Sequence, residues 1–390
     1  MSLRVFSSFW IFGLVNNVLY VIILSAAIDL VGPTTPKAVV LMADVLPSFI
    51  CKITAPFYIH IIPYNVRICV LVFLSCTGMI IISLFDNVIL VLLGIVLASM
   101  SSGLGEITFL QLTHYYSEIS LHAWSSGTGG AGLVGSFLFM LMTTIFGINP
   151  QVCLLLSSLI PFVFIGGYFY LLPERPSADN HPEELEIMQE GDLVAQPKLQ
   201  PNSLEDHIRS TLLRLQPYLV PYMGPLFTVY IAEYIINQGV SPTLLFILDD
   251  MPFHHYRDAY VTYGTLYQLG VFISRSSGAF IKIDRLYILS ALQVVNLAAC
   301  IFQSLFVWLP NIYLVMILVF YEGLLGGLSY INTFRLVTER TRLSEREFAM
   351  GCVTISDSGG IVVAAAVSML LEPSLCGYQV SHGRPWCRQK

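Results

Sequence analysis

Charge is scarce in this sequence: 11% of its 390 residues are Asp, Glu, Lys or Arg, against about 25% in an ordinary soluble domain. With 55% hydrophobic residues, that shortage excludes a water-exposed globular surface. Alternation of apolar and polar residues is also missing, because stretches such as Val70 to Phe85 are apolar on every side, and this excludes a membrane β-barrel. No basic cluster offers a footprint for nucleic acid. The eight cysteines contain no CxxC pair, so neither a zinc site nor a disulfide framework is expected. Cys376 and Cys387 share a polar tail and pair only if that tail faces an oxidising lumen. No HExxH or GxSxG motif is present, and the glycine run Ser125 to Gly135 lacks the GK[ST] ending of a phosphate loop. An enzyme, a metal site and a bound cofactor are therefore not expected.

What remains is apolar sequence in runs near the length that a helix needs to cross about 30 Å of hydrocarbon. Six such spans are expected near residues 6 to 29, 38 to 62, 68 to 85, 88 to 113, 123 to 146 and 151 to 172. Five more are expected near 217 to 239, 257 to 280, 286 to 309, 311 to 333 and 348 to 371. The domain reading is a six-helix bundle over 1–172, an acidic flexible cytoplasmic loop over 173–216, a five-helix bundle over 217–375 and a polar tail over 376–390. With the N-terminus cytoplasmic, thirteen of the 19 lysines and arginines fall on that face, as positive charge is retained there. Lys37, Arg257, Arg384, Arg388 and Lys390 fall on the other. The odd span count sends the tail to the far side, which its three basic residues fit poorly.

Short segments recur at a nearly constant offset. FICK (Phe49 to Lys52) matches FISR (Phe272 to Arg275), and Asn17 matches Asn237. SGTGG (Ser126 to Gly130) matches SDSGG (Ser356 to Gly360), and GLGE (Gly103 to Glu106) matches GLLGG (Gly323 to Gly327). Each pair joins span n to span n+6, so the second copy enters the membrane from the same side, as in parallel repeats of the major-facilitator kind. The expected fold is an all-α membrane protein of about eleven transmembrane helices in two bundles. The glycines read first as points of close helix packing.

A charge inside the bilayer costs about 2.5 to 3.5 kcal/mol or more on insertion scales and so needs a partner, water or a function. Asp44 and Lys52 share a helix but lie too far apart to pair, so each is expected to meet another helix or a cavity. Lys52 and Arg275, matched by the repeat, suggest a cationic wall for an anionic or zwitterionic solute. Glu106 and Glu322 read equally as proton-coupling carboxyls or as ion-pair partners. Glu233 and Asp357 read as structural residues near span ends. His114, His122, His254 and His255 read as interfacial.

The strings NNVLYVIILSAA (Asn16 to Ala27), ADVLPSFICKITAP (Ala43 to Pro56), GLGEITFLQLTHYY (Gly103 to Tyr116), WSSGTGGAGL (Trp124 to Leu133), AEYIINQG (Ala232 to Gly239), YQLGVFISRSS (Tyr267 to Ser277), YEGLLGGLSYINTF (Tyr321 to Phe334) and EFAMGCVTISD (Glu347 to Asp357) together resemble the battenin family, in the lean form of its fungal members. The resemblance implies a multi-pass protein of the vacuolar, lysosomal or late endosomal membrane with a fold similar to the major facilitators. It also implies a part in vacuolar pH balance and in handling basic amino acids or glycerophosphodiesters. Animal members end in a prenylation box; Cys387 is followed here by Arg, Gln and Lys, so prenylation is not expected. The resulting expectation is a carrier of a small polar or anionic solute, with Asn17, Lys52, Asn237 and Arg275 binding the solute and Glu106 and Glu322 coupling protons. A membrane scaffold acting on pH and trafficking through partners stays open as the alternative.

Overall fold

The computed structural model describes residues 2–26, 37–174, 204–253 and 255–388, and no β-strand forms among them. In hydrocarbon each backbone N–H and C=O must find its partner within the chain, and helices meet that demand locally. The first half comprises α1 (Ser2–Ser25), α2 (Lys37–Tyr58), α3 (Tyr64–Leu84), α4 (Val88–Leu112) and α5 (Ile119–Met140), then α6 (Pro150–Ser157) and α7 (Phe162–Gly166), which together make one span. The second half comprises α8 (Leu204–Tyr218) and α9 (Gly224–Ile235), which form one long span, then α10 (Tyr256–Ser276), α11 (Leu286–Phe306), α12 (Ile312–Arg340), and α13 (Leu343–Val353) running into α14 (Ile355–Ser381).

Ten helices among the described residues are long and apolar enough to cross a membrane. The one expected span missing from these ten, the eighth, corresponds to α10, which has the length, 21 residues, but carries too many polar side chains to qualify by hydropathy. It is shielded instead by packing against α5 and α12. Most of the acidic loop, 175–203, lies outside the described residues. Its last part, expected as flexible linker, begins α8 at Leu204, with Glu205 and Asp206 in the first turn, where negative charge suits the helix N-terminus.

Packing reproduces the repeat. The pairs α1·α5, α2·α4 and α2·α14 recur as α9·α14, α10·α12 and α10·α5, which is each partner moved six spans along the chain. The last pair in each set joins the two halves, so α2, α5, α10 and α14 form the seam. Glycine makes some of these approaches possible. A methyl on Gly270 would meet Phe320 O at 2.5 Å, and one on Gly323 would meet Val271 N at 3.0 Å, so α10 and α12 touch backbone to backbone.

In α2 the Pro47 ring disturbs the helical ladder. Ser99 of α4 inserts there: its hydroxyl accepts from Ser48 N at 3.0 Å and donates to Asp44 O. Ser99 thereby bridges backbone groups of α2 one turn from Lys52. At the far end of the chain Cys376 and Cys387 are joined by a disulfide, Cα to Cα 5.8 Å.

Candidate functional site

Lys52 is 2% exposed and lies on the seam. Its Nζ donates to Glu106 Oε2 at 2.6 Å, to Asp357 Oδ1 at 2.9 Å and to Ser358 Oγ at 2.7 Å. One ammonium thus holds α4 of its own half and α14 of the other. The three donors of Lys are all satisfied. Asp357 is buried fourteen residues into the span that begins at Leu343, not near a span end as its polar neighbours suggested; it lies in the first turn of α14, which follows α13 in the same span.

Glu106 connects this centre to Arg275. Tyr330 donates its hydroxyl to Glu106 Oε1 at 3.1 Å and accepts from Trp124 Nε1 at 3.0 Å. The Arg275 guanidinium lies over the Tyr330 ring, 4.0 Å from its centroid, close enough for a cation–π contact. Arg275 also donates to Thr128 Oγ1 at 2.7 Å across the seam and to Tyr230 OH at 2.9 Å. Its Nε is buried without a hydrogen-bond partner, and no carboxylate of the described residues pairs with it.

The repeat explains this difference between the two cations. Lys52 bonds Ser358 and Arg275 bonds Thr128, and these hydroxyl residues are themselves equivalent in SDSGG and SGTGG. The acids are not repeated. Gly127 stands where the second copy has Asp357, and Gly326 stands where the first has Glu106. The cationic wall expected from Lys52 and Arg275 is therefore half neutralised: Lys52 carries two counter-ions and Arg275 none.

The remaining expected residues fall outside this centre. Asn237 donates from Nδ2 to Glu322 Oε1 at 2.9 Å in the second half. Asn17 accepts from Asn16 at 3.1 Å in the first. Beside Asn16, a small cavity is lined by Tyr20, Asp44, Ser75, Ser101 and Ser102, and Asp44 is buried there with Oδ2 unpartnered. Glu233 is also interior and 3% exposed, again not near a span end. The reading of single residues missed Tyr330, Trp124, Thr128 and Tyr230. The signal for Thr128 was its alignment with Ser358; the aromatics carried none, since Tyr and Trp are common throughout the spans.

At the end of the molecule that carries the N-terminus, the halves are latched. Glu347 accepts from Tyr64 OH at 2.6 Å and from Tyr115 OH at 2.9 Å, and His207 of α8 contacts Phe57 O at 3.0 Å.

Two parallel helical bundles meeting at a buried charged centre define a membrane protein with a transporter-like architecture. Among solved structures the chain is similar to the major-facilitator transporter FucP in its outward conformation, with a TM-score of 0.60 at 15% identity over 99% of this chain and 97% of that one. It is similar also to the human organic anion transporter MFSD10, with a TM-score of 0.66 at 11% identity over 99% and 96%. At such identities the likeness is one of fold. The family is narrower: the model described as CLN3 protein matches residues 7–378, and the chain belongs to this CLN3, or battenin, family. Its relatives include Protein BTN1 of Yarrowia lipolytica, 58% identical over 98% of this chain and 97% of that protein. Protein BTN1 of Saccharomyces cerevisiae is 49% identical over 100% and 99%.

Proposed function

We propose that this protein is a secondary carrier of the vacuolar membrane that moves a small polar solute with an anionic group by alternating access, and that it contributes to vacuolar pH balance. The observation that carries the reading is Arg275. A buried guanidinium on the seam, with no counter-ion and its Nε unpartnered, is a receptor for a phosphate or carboxylate. A glycerophosphodiester offers the phosphate, and a basic amino acid such as arginine offers the carboxylate while placing its cationic end toward Glu106 and Asp357. Lys52 acts in this account as the cross-link whose bonds to Asp357 and Ser358 break when the halves separate. Of the two acids expected to carry protons, Glu106 is engaged by Lys52 and Tyr330, which leaves Glu322 for that role. One fold neighbour is an organic anion transporter, in keeping with an anionic solute.

The test is ligand-dependent stabilisation of the purified protein by glycerophosphocholine and by arginine. A ligand that binds only the folded state raises stability as its concentration exceeds its Kd. Saturable stabilisation by one of them, lost in Arg275→Gln, supports the carrier. Stabilisation by neither, in folded protein, favours a scaffold that acts through protein partners.

A further inference from the structure

The second half encloses another pair of acids, behind Arg275, that has no cation of its own. Glu322 of α12 is 0% exposed and Glu233 of α9 is 3% exposed. Gly326 lies one turn from Glu322 on the same face of α12, and a methyl placed on it would meet the Glu233 carboxyl carbon at 2.7 Å. The two carboxyl groups are thus neighbours across the contact of α9 with α12. Each has one oxygen satisfied: Asn237 donates to Glu322 Oε1, and Tyr267 of α10 donates to Glu233 Oε1. The Oε2 atom of each is buried with no hydrogen-bond partner.

The surrounding elements supply no counter-ion. No lysine, arginine or histidine of the described residues pairs with either acid. From α10, Arg275 acts on Glu233 through space, while its Nη1 and Nη2 donate to Thr128 and Tyr230. Tyr230 and Tyr234 stand beside Glu233 on α9. From α11, Cys300 faces Glu322, and Asn296 donates at 3.4 Å to Leu318 O, one turn before Glu322. Gln293, on that same polar face of α11, is 0% exposed with both polar atoms unpartnered. Adjacent carboxylates in low dielectric cannot both stay ionised without a compensating charge.

We propose that Glu233 and Glu322 form a proton-binding site in the second half, one of the two neighbouring carboxyls carrying a proton on its free Oε2 atom. Loading forms one O–H bond with a proton taken from water, and release breaks it. The site is tied to the solute centre through α9, where Tyr230, which bonds Arg275, precedes Glu233 by one turn. The coupling of this proton to solute movement rests on the carrier proposed above; the existence of the site does not.

Infrared difference spectroscopy of the protein reconstituted in lipid reads the site directly. The wild type is expected to show, at neutral pH, a protonated-carboxyl stretch that moves in heavy water and is missing from Glu233→Gln/Glu322→Gln. Each single variant is expected to shift or remove the band, because each removes either the protonated carboxyl or the neighbouring acid that keeps it protonated. A wild type without the band, or a band untouched by all three variants, overturns the proposal. In sealed liposomes a pH gradient is expected to change wild-type solute flux and to leave Glu322→Gln flux unchanged. Flux driven equally well by a sodium gradient at constant pH overturns the proton assignment. A protein that keeps the band yet moves no solute refutes the carrier and retains the site.

Discussion

Replacing Lys52 by glutamine leaves Glu106 and Asp357 facing each other without their shared cation, in a place where their side chains are 15% and 7% exposed. Removing one partner of a buried ion pair costs about 3 to 5 kcal/mol, and two stranded acids put Lys52→Gln within that range. Asp357→Asn is a different perturbation. It leaves Lys52 bonded to Glu106 at 2.6 Å and to Ser358 at 2.7 Å, and it balances one cation with one acid, so its cost is that of a single hydrogen bond, about 1 kcal/mol. The double variant Lys52→Gln/Asp357→Asn keeps one buried acid in place of two. It is therefore expected to be more stable than Lys52→Gln despite its extra substitution, a coupling that a double-mutant cycle isolates. Melting temperatures of the purified variants should fall in the order wild type, Asp357→Asn, double variant, Lys52→Gln. Asp357→Asn melting as low as Lys52→Gln, or a double variant below Lys52→Gln, would refute the reasoning.

Removing the Ser99 hydroxyl in Ser99→Ala is expected to cost about 1 to 3 kcal/mol, the penalty for unpairing backbone groups beside Pro47; an unchanged melting temperature would mean that α2 closes the gap itself. Tyr64→Phe/Tyr115→Phe releases Glu347, and at about 1.5 kcal/mol or more per bond to a charged group it should shift the population toward halves parted at that end. A spin-label distance between the ends of α2 and α13 would lengthen; no change would show that the latch does not hold the halves. The tail thiols, Cys376 and Cys387, should resist maleimide in intact membranes until a reductant is added, and labelling before reduction would contradict the bridge.

Much of the architecture was legible because lipid leaves the backbone one local solution and because the repeat fixed the pairing of spans. The apolar run at 257 to 280 already marked α10 as a span, and the match of FISR to FICK paired it with α2. The repeat located Lys52 and Arg275 as equivalents but could not say that their surroundings differ. That difference lies in Gly127 and Gly326, residues that read as packing positions until Lys52 and its two acids are seen in space. Asp357 and Glu233 read as terminal because polar neighbours shortened the apolar runs around them, whereas the spans that hold them, Leu343–Ser381 and Glu205–Thr243, extend well past both positions. The acid pair had one further signal, the polar face of α11 at Ser290, Gln293, Asn296 and Cys300, whose spacing of three and four is that of one helix side. A polar stripe on an otherwise apolar span marks what it packs against, and here α11 packs against α9 and α12, the helices of Glu233 and Glu322.

The carrier account is tested most directly by uptake of labelled glycerophosphocholine and arginine, each alone, into sealed liposomes holding the purified protein. The account predicts saturable uptake of at least one of them, abolished by Arg275→Gln and strongly reduced by Lys52→Gln in protein that remains folded. Uptake of neither by the folded wild type, or uptake that Arg275→Gln leaves intact, would contradict it.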